Sequence, residues 1–112
     1  MKTTEIKFKP LEVQKSWSKA RKEFRKSANL SNILYFFFNN DTCYYIGESS
    51  VSLNDRCFRN TPKHVKKEWF AKCNKVLIIQ LDKKLGDIER RALESSFILA
   101  YKSAGHPLQN EK

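Results

Sequence analysis

The sequence predicts a small α+β domain, a three-stranded antiparallel sheet flanked by helices, preceded by a basic amphipathic helix. Three observations carry this reading. The aliphatic and aromatic run Ile33 to Phe38 is followed by Asn39-Asn40-Asp41 and then by Cys43 to Ile46, the pattern of a hairpin. A second apolar run, Val76 to Leu81, reads as a central strand ended by Asp82. Around both lie stretches whose apolar residues recur at helical spacing.

In chain order, Met1 to Pro10 is polar, with a weak strand pattern at Ile6 and Phe8. From Leu11 to Ala28, Val13, Trp17, Ala20 and Phe24 recur at spacings of four, three and four, which puts them on one helix face. Lys15, Lys19, Arg21, Lys22, Arg25 and Lys26 cover the remainder. Residues 1–31 thus read as an extension carrying a basic helix, and 32–112 as the main domain, the whole forming one unit. In the hairpin, symmetry about Asn40 would set Tyr35 directly opposite Tyr45, with both phenols on one face. Gly47 ends the second strand, and Ser52-Leu53-Asn54-Asp55 reads as a capping box opening a helix that carries Arg56 and Arg59.

Thr61-Pro62 marks the next helix start, with Val65, Trp69 and Cys73 facing inward and Lys63, Lys66, Lys67 and Lys72 pointing elsewhere. The last helix runs from Ile88 to about Ser103, stopped by Gly105 and Pro107. Its apolar arc is Ile88, Ala92, Leu93, Phe97 and Ala100, an arc that also takes in Glu89 and leaves Glu94 outside as an exposed carboxylate.

Charge narrows the partners. The chain has 22 Lys and Arg against 12 acidic residues, a net charge of +10. Such a surplus favours a polyanion, most simply nucleic acid, although a solvated basic surface is the plainer alternative. Lys19, Lys22, Lys26, Arg59, Lys63, Lys66 and Lys67 are the candidate phosphate contacts. Met1 to Val13 lacks the apolar segment of a signal peptide, and no run is long enough to span a bilayer. The expected location is cytoplasmic. Cys43, Cys57 and Cys73 are odd in number and widely spaced, so free core thiols are expected rather than a disulfide framework or a zinc site with His64.

A tyrosine in the first hairpin strand, a Tyr-Ile-Gly ten residues on and an arginine on the following helix together resemble the GIY-YIG endonuclease family. Tyr45-Ile46-Gly47 is the intact second motif, whereas Ile33-Leu34-Tyr35 keeps the first motif's tyrosine and replaces its glycine. The stretch YIGESSVSLNDR is similar to the family's segment after the second motif. Glu94 in ESSFI matches its late helix glutamate, and Asn110 its terminal asparagine. Asn60 stands where many members carry histidine.

The resemblance implies a metal-dependent endonuclease that hydrolyses nucleic-acid phosphodiester bonds, with DNA expected before RNA. Tyr35 would act as base or proton relay beside the attacking water, and Tyr45 would position phosphate or water. An isolated phenol ionises near pH ~10, so the relay needs a neighbouring cation or base. Arg56 would hold the scissile phosphate with its planar fork of donors. Glu94 would bind one Mg²⁺ or Mn²⁺, a hard cation that takes carboxylate oxygen and keeps several waters. Asn110 would brace the tyrosine hairpin. The alternative is a catalytically inactive module of the same fold that binds nucleic acid, which the replacements at Ile33 and Asn60 favour. Oligomeric state is left open.

Overall fold

Ile33 to Asn39 is apolar on both sides of its pleat, so it is stable as a strand only with both faces covered. A computed structural model describes residues 2–10, 13, 24, 30–53 and 67–110, and this segment lies at the middle of it as β2 (Ile33–Asn39). The other strands are β1 (Lys2–Lys7), β3 (Thr42–Ser49) and β4 (Lys75–Gln80). They form one antiparallel sheet in the order β1-β4-β2-β3. The helices are α1 (Glu68–Ala71) and α2 (Asp87–Ser103).

The sheet therefore has four strands, not three. The added strand, KTTEIK, buries only Ile6 and has little alternation to announce it. Its register comes from backbone pairing along β4, helped by a Glu5–Lys75 ion pair at 3.6 Å. The expected basic helix over 11–28 lies outside the described residues except for Val13 and Phe24, which are both buried. The helix expected after Ser52 and the start expected at Thr61-Pro62 also lie outside them.

Alternation along β2 divides the core in two. Ile33, Tyr35 and Phe37, with Val76 and Ile78 of β4, form one face with Phe8, Trp69 and Phe70 packed on it. Leu34, Phe36 and Phe38 form the other, with Ile46 of β3 and Ile98 of α2. Aromatic contacts tie the layers together: Phe8 meets Phe70 at 5.2 Å, and Phe36 meets Phe97 edge-on at 5.3 Å.

The hairpin register differs from the symmetric one. Asn40 adopts φ 51°, so Asn40-Asp41 is a two-residue turn pairing Asn39 with Thr42. The register then shifts between Phe37 and Phe38, leaving Tyr44 as an extra residue on β3. Beyond this bulge Phe37 opposes Tyr45, and Tyr35 opposes Gly47 instead of Tyr45.

The rotation of α2 is a second correction. Its buried residues are Arg90, Glu94 and Ile98, with Leu93, Phe97 and Tyr101 partly covered, while Ile88 is 81% exposed. Arg90 explains the rotation, because its guanidinium pairs with Glu48 of β3 and with Asp87, and donates to Asn32 Oδ1 at 2.8 Å. An apolar count overlooks a helix held by a planar fork of charge-assisted bonds. At the far end Gly105 (φ 93°) turns the chain, and the His106 N–H returns to the Tyr101 carbonyl at 3.0 Å. No helix among the described residues is long and apolar enough to cross a membrane.

Candidate active site at the tyrosine hairpin

The site is built on the absence of a side chain. Gly47 lies opposite Tyr35, and a Cβ there would fall under 3.0 Å from the Cζ, hydroxyl oxygen and Cε2 of that ring. The phenol thus occupies the room the glycine leaves, a close approach that only glycine permits. Tyr45, two residues before Gly47, shares that face and meets Tyr35 at 6.2 Å with an interplanar angle of 21°. Trp69 of α1 stacks on Tyr45 at 4.9 Å and 4°. The two tyrosines are therefore neighbours along the strand diagonal, each held by its own contact.

Asn110 reaches the same hairpin from the other side in sequence. Its Oδ1 accepts from the Ile46 N–H at 3.1 Å and its Nδ2 donates to the Ile46 carbonyl at 2.6 Å. The side-chain amide thus takes the place of a neighbouring strand for the middle residue of Tyr45-Ile46-Gly47. Gln109 N–H adds a bond to the Tyr44 carbonyl at 2.7 Å, and the Cys43 N–H donates to His106 Nδ1 at 2.9 Å. Segment 106–110 consequently covers the outer edge of β3. Asn110→Ala is expected to cost about 1–2 kcal/mol, because both Ile46 groups lose a partner. Chemical denaturation would measure that loss, and hydrogen exchange should show the Ile46 amide opening faster than in the parent.

Glu94 is 7% exposed, on the inward side of α2 between Arg90 and Ile98. It is not the exposed carboxylate that periodicity alone implies. The helix carrying it lies mainly against β3, and its core contacts are on the sheet face of Leu34, Phe36 and Ile46, not the face that carries Tyr35 and Tyr45. Tyr35 is 1% exposed, so its hydroxyl is shut off from bulk water. Arg56, Arg59, Lys19, Lys22, Lys26, Lys63 and Lys66 lie outside the described residues, while Lys67 is exposed just ahead of α1.

Comparison with known proteins yields nothing: no family model, curated protein or solved structure matches the chain.

Sequence reasoning missed the group formed by Arg90, Glu48, Asp87 and Asn32. Arg90 is 5% exposed. Burial works against its charge, but hydrogen bonds and attraction to Glu48 and Asp87 outweigh this and hold it more firmly protonated than usual. An arginine one turn before Glu94 and two before Ile98, on an inward-facing row, was the available signal. Cys43 and Cys73 are free and buried, and burial pushes both thiols up to about 12. Among the described residues no group of three or more His, Cys, Asp and Glu is arranged to hold a metal. Among the described residues a cation at Glu94 would have fewer than three such ligands and would complete its shell with water and substrate oxygens, a mode that suits Mg²⁺.

Proposed function

We propose that this chain is a GIY-YIG-like endonuclease that hydrolyses phosphodiester bonds of nucleic acid, DNA in the first instance. The observation supporting this reading most is the packing of Tyr35 into the space above Gly47 with Tyr45 beside it. That arrangement joins the tyrosine of the first motif to both ends of the second. Asn110 fastens the residue between them.

In this proposal Tyr45 orients water or phosphate and Tyr35 passes the proton, its ring fixed by Gly47. Arg56 holds the phosphate, and Glu94 offers carboxylate oxygen to Mg²⁺ or Mn²⁺. The cation's contribution is to offset charge on the phosphate and leaving oxygen. The basic surplus, with Lys19, Lys22, Lys26, Arg59, Lys63, Lys66 and Lys67 as contacts, supplies affinity that falls with salt.

A second reading has its own support. Tyr35 and Glu94 are both nearly inaccessible, as expected of a module that kept the fold for binding and lost turnover. Plasmid DNA and structured RNA incubated with Mg²⁺ or Mn²⁺ separate the two. For an enzyme, Glu94→Gln abolishes cleavage while binding stays within about twofold, since affinity comes from lysine and arginine elsewhere. Tyr35→Phe lowers rate alone. A wild-type chain that binds either polymer tightly and cuts neither with either metal would sink the nuclease and leave the binding module.

A further inference from the structure

A pocket of about 280 Å³ lies between the hairpin turn and the C-terminal end of α2, away from the tyrosine pair. It is lined by Phe38, Asp41, Ala100, Tyr101, Ala104 and His106. This is below the ~300–1,000 Å³ usual for small-molecule sites, so it accommodates one ring system and not a ring with its sugar and phosphate.

Hydrogen bonds and ring contacts hold part of the lining. Asn40 and Asn74 clasp the turn bearing Asp41: the Asn40 N–H donates to Asn74 Oδ1 and Asn74 Nδ2 donates to Asn40 Oδ1, each at 3.1 Å. The Asn74 N–H adds a bond to the Phe38 carbonyl at 2.9 Å. His106 Nδ1 accepts from the Cys43 N–H, so the neutral ring carries its proton on Nε2. Tyr101 packs against His106 at 4.8 Å and against Phe38 at 6.3 Å. Small residues at Ala100 and Ala104 leave the space open. The result is an aromatic wall with a donor, His106 Nε2–H, and an acceptor carried on the exposed turn, the Asp41 carboxylate.

We infer that this pocket binds a guanine base. Guanine presents N1–H and N2–H₂ donors side by side, which a carboxylate accepts as a pair, and beside them O6, which takes a proton donor. Its flat ring stacks on tyrosine or phenylalanine, as unpaired bases do on protein aromatics. Adenine and cytosine put a ring-nitrogen acceptor where guanine has N1–H, and that atom would face the carboxylate. A site built around such donors rejects analogues lacking them more strongly than an apolar pocket can. Lys75, ion-paired with Glu5, holds its Nζ 5.4 Å from the Phe38 ring centroid and so brings a positive charge to that ring. The inference does not depend on phosphodiester cleavage, so it survives or fails separately from the nuclease reading.

The guanine could come from a free nucleotide or from an unpaired position in a strand, and the test has an arm for each. In calorimetric or NMR titrations of the full chain, GMP should bind about tenfold or more tightly than AMP, CMP or IMP, which all carry the same phosphate. Chemical shifts should move at Tyr101 and His106. In the second arm, an oligonucleotide with one unpaired guanine should outcompete the same oligonucleotide with adenine or inosine there. Asp41→Asn, nearly isosteric and on an exposed turn, should keep the melting temperature and erase the preference. A preference in the strand alone assigns the source to nucleic acid, and one shown by GMP alone assigns it to a nucleotide. Equal binding of GMP and IMP, a preference unchanged in Asp41→Asn, or no guanine preference in either arm overturns the inference.

Discussion

Gly47→Ala is expected to be the most damaging single-methyl change in the hairpin, at about 3 kcal/mol or more. The added Cβ would run into the Cζ and hydroxyl end of the Tyr35 ring, and neither partner can yield easily. Tyr35 belongs to a central strand paired on both sides, to Gly47 and to Ile78, so backbone retreat would break one ladder or the other. Against a typical domain stability of ~5–15 kcal/mol, the loss would be plain in urea denaturation. Tyr35→Leu supplies the control. In that background the methyl meets no ring, and Gly47→Ala should become much milder. Equal cost in both backgrounds would show that strand conformation, not the phenol, sets the requirement for glycine.

Arg90→Ala is the second large effect, at about 3 kcal/mol. Removing the guanidinium leaves the Glu48 carboxylate, which is only 17% exposed, with just a long ion pair to the exposed Arg91 at 3.9 Å, and takes a donor from Asn32, which also ties the start of β2 to the carbonyls of Asp82 and Leu85. Asp87, largely exposed, can return to water and should contribute little. Combining Arg90→Met with Glu48→Leu should recover most of the loss, because the poorly compensated carboxylate is gone along with its main partner. A single-variant cost near that of a surface substitution, about 0.5 kcal/mol, would mean the network orients α2 without stabilising it.

The α+β character, the antiparallel strands and the stop of α2 at Gly105 were legible because each has a local cause. Ile33 to Phe38 and Val76 to Leu81 are too apolar for exposed loops, and Gly105 takes a backbone angle that other residues avoid. The hairpin register was not legible. It depends on Tyr44 bulging out, and nothing in Thr42-Cys43-Tyr44-Tyr45 marks which residue goes unpaired. The two tyrosines still share a face, because the two-residue turn and the bulge together displace the pairing by a whole pleat period. β1 was only faintly legible for another reason: the pattern at Ile6 and Phe8 was too weak to count as a strand of the sheet, with one buried residue in six. The burial of Glu94 required knowing that Arg90 turns α2 inward. That partnership spans 42 residues, from Glu48 to Arg90, and cannot be found by periodicity within the helix.

The strap of residues 106–110 also bears on how the chain is made. Ile46 and Asn110 stand 64 positions apart, yet the second supplies the hydrogen bonds that the first would otherwise seek from another strand. During synthesis the hairpin emerges long before its cover. Until residue 110 is free to dock, β3 offers the Cys43 and Ile46 N–H groups and the Tyr44 and Ile46 carbonyls to any extended segment nearby. Closure of the β3 edge therefore waits on residues 106–110, and a chain halted before His106 would leave the tyrosine hairpin as an open template for aggregation.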